Sequence, residues 1–160
     1  MQCLLCKQER QKLIKAHIFP RGFFNQLPTK RRVDTMTTHG QRGRKLQNAI
    51  YDPTILCGEC EDRIMKPLDD YASQAIRDRK NAFAAQLPAG APLNLWVFEN
   101  VDKKRLCSFV ASILWRVSVS QQPELVDVRI GSEYEERIRA GLLVGDDLTF
   151  VDMVIFYLTH

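Results

Sequence analysis

Two cysteine pairs carry the most explicit chemistry in this chain: Cys3 and Cys6 in "CLLC", and Cys57 and Cys60 in "TILCGECEDRIMK". A two-residue spacer turns the backbone far enough to aim both sulfurs at one tetrahedral centre, and two such knuckles complete a four-thiolate site. Zn²⁺ held by four cysteines has no open position, so such an ion is a structural staple rather than a reagent. A thioredoxin-like redox site is excluded, because it uses one pair within a βαβ pattern that is absent here. Cys107, in the apolar run "LCSFVASILW", reads as a buried core residue.

Chemistry would then fall to other side chains. His17, in "AHIFP", is a general-base candidate, since an imidazole titrates near neutral pH; the competing reading makes it a hydrogen-bonding brace for the fold. Asp52 and Glu61 flank the second knuckle. Asp62, Asp69 and Asp70 read as a solvated helix face, and Trp96 and Trp115 as core. His39 and His160 read as incidental.

The elements that must position these groups follow from pattern. "KLIKAHIFP" reads as a short extended stretch closed by Pro20, residues 25–50 as a long irregular loop, and "PTILC" as a strand entering the second pair. From Cys60 to Leu87 the spacing of Ile64, Leu68, Tyr71 and Ile76 predicts a helix, with Pro67 kinking or interrupting it. "LPAGAPLN" is a turn-rich break. It divides the chain into a zinc module with its following helix, residues 1–87, and a second small domain, residues 93–160. In that second part "LWVFEN" reads as a strand and "DKKRLCSFVASILWRVSVS" as a central helix. "SEYEERIRAGLL" reads as a further helix with Ser132 and Glu135 in a capping box. The terminal "LTFVDMVIFYLTH" suits a buried strand, and an end so close behind it is consistent with truncation.

Composition and charge narrow the class. Of 160 residues, 45% are hydrophobic and 26% charged, as in globular proteins, and neither a membrane-length apolar run nor a signal-peptide h-region is present. The expected location is therefore the cytoplasm with no membrane partner, which favours metal binding over disulfides. Residues 1–66 hold 13 Lys and Arg against 6 Asp and Glu, a net +7, while residues 67–160 hold 10 against 13, a net −3. Arg31, Arg32, Arg42, Arg44 and Lys45 concentrate the excess. They form either a phosphate-contacting flap or a solvated loop.

Knuckle, "AHIFP", loop and "DPTILCGECE" opening a helix together resemble the zinc-containing branch of the HNH endonuclease superfamily, over roughly residues 1–75. Most of the chain also resembles a group of bacterial HNH-like proteins, a likeness that implies no activity. The first resemblance implies an α+β chain: a treble-clef (ββα-metal) zinc module, followed here by a mainly helical domain ending in a strand. It implies metal-dependent hydrolysis of DNA phosphodiesters, with His17 as general base, Asp52 holding the loop and orienting that base, and Glu61 binding a catalytic Mg²⁺ or Mn²⁺. Family members carry an Asp or His ligand immediately before the base, where this chain has Ala16, which binds no metal. Two further readings therefore stand beside the nuclease. One is a catalytically inactive treble clef that binds nucleic acid or a partner protein; the other is a docking or homodimerisation module.

Overall fold

The computed structural model describes residues 1–20, 33–34, 45–46, 50–77, 82–84, 96–98, 100–146 and 148. They form a mixed helix-and-strand structure with three two-stranded antiparallel sheets.

The first ten residues close on themselves around the knuckle. Gln2 bridges Glu9, the Cys3 N–H donates to the Gln8 carbonyl at 3.0 Å, and Lys7 takes a left-handed φ of 59° to turn the chain back. Leu4 and Ile14 then donate to the carbonyls of Ile55 and Leu56, each at 2.9 Å, strapping the N-terminus to the second knuckle. β1 (Ala16–His17) pairs with β4 (Tyr51–Asp52), placing Ala16 opposite Asp52 and His17 opposite Tyr51. Between them, β2 (Val33–Asp34) pairs with β3 (Lys45–Leu46), so the segment expected to be an irregular loop contains a short hairpin ladder. The strand expected over 53–57 does not form; the paired residues are Tyr51–Asp52, just before it. Pro53 has no N–H to offer a ladder, and the chain bends there.

The helix after Cys57 has three parts: α1 (Gly58–Cys60), a π-helical turn (Glu61–Met65) and α2 (Lys66–Arg77). The widened turn sits immediately before Pro67, and its last bond runs five residues back, from the Lys66 N–H to the Glu61 carbonyl. A proline in a helix removes a donor and crowds the preceding turn, and a π-turn accommodates that without breaking the axis. Helix does not continue to Leu87. The apolar spacing ends at Ile76, before "RDRK", and Ala82–Ala84 forms β5, paired with β6 (Trp96–Phe98).

α3 (Lys103–Val119) starts on Asp102, whose carboxylate accepts the Arg105 N–H at 3.0 Å. α4 (Ser132–Val144) starts one residue earlier than a capping box requires. Gly131, at φ 88°, is the N-cap, and Glu135 instead accepts the Ser118 hydroxyl at 2.6 Å. α4 ends on Gly145 at φ 67°, and a Cβ on Gly141 would meet Leu148 at 2.5 Å, so both glycines are required.

The expected boundary at "LPAGAPLN" falls outside the described residues. On either side of it the two segments share one apolar core: Leu5, Ile18, Ile55, Leu56 and Met65 from the first, Trp115, Ile138 and Leu142 from the second. α3 packs on both α2 and α4. The terminal strand expected after Leu148 lies outside the described residues. Among the described residues, no helix is long and apolar enough to cross a membrane.

Candidate metal centre

Cys3 and Cys6 come from the N-terminal turn, Cys57 immediately precedes α1, and Cys60 ends it. The knuckle geometry is fixed locally. The Lys7 N–H donates to the Cys3 carbonyl at 2.8 Å, the Glu61 N–H to the Cys57 carbonyl at 3.1 Å, and the Cys57 N–H to the Cys3 sulfur at 3.3 Å. All four sulfurs lie within 4.8 Å of one another, with Cys3 and Cys60 at 3.9 Å. A tetrahedron with zinc–sulfur bonds of about 2.3 Å has sulfur–sulfur edges of roughly 3.8 Å, so the cluster can hold a zinc ion with little adjustment. Cys3, Cys57 and Cys60 are buried, and Cys6 is half-buried.

Electrostatics favour a cation at this centre. Burial pushes the Cys3 thiol up, and burial together with the neighbouring thiols pushes Cys60 up. Burial acts the same way on Cys6, but the Gln8 backbone, the Cys3 and Cys60 thiols and the Arg10 guanidinium more than offset it, bringing Cys6 to about 7. Four crowded sulfurs compete for charge, and a divalent ion resolves the competition by replacing the protons. Four thiolates around Zn²⁺ leave a net charge of −2. Arg10 stands beside Cys6 and also pairs with Glu59 at 2.8 Å; Arg139 lies within the field of Cys6 and donates to the Leu5 carbonyl at 2.7 Å.

The groups expected around His17 have a different organisation. Strand alternation turns Ala16 and Asp52 into the core, both with no exposed surface, and leaves His17 half-buried on the other face. Asp52 is fully engaged. One oxygen accepts the Thr54 N–H at 2.8 Å and its hydroxyl at 2.6 Å; the other accepts the Ser120 hydroxyl at 2.7 Å and the Gln121 N–H at 3.1 Å. Burial pushes this carboxyl up, but those four donors outweigh it and hold the group below its ordinary range.

Asp69 departs from the solvated face expected of it. It is buried against Arg116, which has no exposed surface and donates to both its oxygens, at 3.0 and 2.7 Å. The same guanidinium donates to the His17 carbonyl at 2.8 Å and to the Ser112 carbonyl and hydroxyl at 3.2 and 3.1 Å. Glu61 lies within the field of both partners. Burial pushes its carboxyl up, Asp69 and Asp62 add to the shift, and Arg116 opposes them; its Oε2 is buried without a hydrogen-bond partner.

Among the described residues, the four cysteines are the one group of three or more His, Cys, Asp or Glu side chains close enough to share a metal ion. Arg31, Arg32, Arg42 and Arg44, like His39 and His160, lie outside the described residues. Lys45 lies in β3, opposite Asp34 in the backbone register. Sequence reading missed Arg116, Ser120 and Tyr51. A signal existed for the first: a lone cation four residues after a serine, inside the apolar stretch "SILWRV". Comparison with known protein families, curated proteins and solved structures gives no match.

Proposed function

We propose that this chain is a zinc-stapled binding protein whose basic N-terminal part grips DNA, on a treble-clef scaffold of HNH type that uses no second metal. The order of knuckle, strand, returning strand, knuckle and helix supports the scaffold. The +7 charge of residues 1–66 supports a polyanionic partner. One observation carries the choice between gripping and cutting: Asp52, the register partner of Ala16, and Asp69 are both engaged by the chain's own donors.

Fluorescence anisotropy with a 20-base-pair duplex tests this reading. Neutralising about four phosphates predicts roughly a hundred-fold loss of affinity between 50 and 200 mM salt, with no plasmid nicking under Mg²⁺ or Mn²⁺. Salt-independent binding overturns it, as does failure to bind both this duplex and its separated strands.

A second reading, hydrolysis of DNA, is favoured by one observation: the unpartnered Oε2 of Glu61 on the widened helical turn. In that reading Glu61 holds Mg²⁺ or Mn²⁺, Asp52 fixes the strand end, and His17 takes the proton from water. It requires nicking by the wild type that disappears in His17→Ala while zinc content is retained.

A further inference from the structure

Among the described residues, the outer face of the β1–β4 pair is used neither by the zinc site nor by the core. His17 and Tyr51 are register partners, so their side chains project to the same side, as does Lys15 two residues before His17. Their neighbours Ala16 and Asp52 face inward with no exposed surface. Tyr51 is a large aromatic left 42% exposed, although two residues of strand could have turned it into the core. Lys15 is exposed, and its Nζ lies 5.2 Å from the centre of the Tyr51 ring. That exposure means Lys15 covers only part of the ring.

An exposed ring beside a cation is an arrangement on which single-stranded nucleic acids bind: the ring stacks on a base and the cation meets an adjacent phosphate. A base inside a duplex already stacks on both sides and cannot use such a ring. We infer that Tyr51 is a stacking platform for one base of single-stranded DNA, with Lys15 contacting the flanking phosphate. This rests on the DNA-binding reading above and specifies its surface.

The test is the affinity of the full chain for a labelled twelve-residue oligothymidylate and for a 20-base-pair duplex in 100 mM salt. Tyr51→Ala is expected to weaken oligothymidylate binding by about five- to hundred-fold and duplex binding by less than about threefold. Tyr51→Phe, which keeps the ring, stays within about twofold of wild type. Tyr51→Leu keeps apolar bulk without a π-face and weakens binding as alanine does, which separates stacking from folding. Zinc content and far-ultraviolet circular dichroism are read on each variant. Wild-type affinity in Tyr51→Ala, or equal losses on both DNAs, overturns the stacking role and leaves the DNA-binding reading intact. Wild-type protein that binds neither DNA overturns both. Tighter binding of the matching oligouridylate, by tenfold or more, overturns the assignment to DNA.

Discussion

Two buried polar centres among the described residues differ in where their cation comes from. At the cysteine cluster, four sulfurs within 4.8 Å converge on a point that no cationic side chain of the described residues fills, and Arg10 and Arg139 stand outside it. Beside β1, Asp69 pairs through both oxygens with Arg116, which is covalently part of the chain and buried completely, and Glu61 lies within the field of that pair. A thiolate cluster needs an external ion to be stable; a carboxylate cluster that already encloses a guanidinium does not. The lesson is that a metal-ligand pattern has to be judged by what its donors already bind, since Asp52 accepts four hydrogen bonds and Asp69 is paired through both oxygens with Arg116.

The difference predicts a ranking of effects. Largest is loss of the external cation. Strong chelation, or Cys57→Ser, removes folding free energy on the order of 10 kcal/mol and abolishes cooperative unfolding by circular dichroism. Next is loss of the internal cation. Arg116→Met leaves Asp69 buried without its partner and costs about 3–5 kcal/mol in urea denaturation, whereas Arg116→Met with Asp69→Leu recovers most of that loss.

Asp52→Ala follows, at about 1–3 kcal/mol, because Ser120 and Thr54 lose a buried acceptor. Its pH dependence has a definite sign. A carboxyl held below its ordinary range adds stability that is complete above about pH 5 and is lost as the pH falls through the depressed value, below about pH 4. Glu61 has the opposite sign: its raised carboxyl costs stability once ionised, so Glu61→Gln raises the melting temperature at pH 8 and has little effect at pH 4. The smallest effect is His17→Ala. The Arg116 bond uses the His17 backbone carbonyl, so stability changes by less than about 1 kcal/mol.

How much of this was legible in the sequence depends on distance along the chain. The knuckles were, because each is set by a spacing of three residues that any backbone reads locally. α3 was too, because Asp102 and a dense apolar stripe announce it. The Arg116 centre was not: its partners lie 47 and 99 residues away, and nothing local distinguishes a buried arginine from one that reaches solvent. The same cause explains Ser132 and Glu135. They have capping-box spacing, but Glu135 is taken by Ser118, 17 residues upstream, on the helix packed against it. Asp52 stood out as a site residue, but its four donors, two of them from Ser120 and Gln121 just after α3, became visible only in the fold.

Metal stoichiometry tests the contrast between the two centres most directly. One zinc per chain is expected by elemental analysis of purified protein, and no saturable Mn²⁺ site on titration to millimolar concentrations followed by electron paramagnetic resonance. Less than stoichiometric zinc in folded protein, or a Mn²⁺ site that disappears in Glu61→Gln, would contradict it.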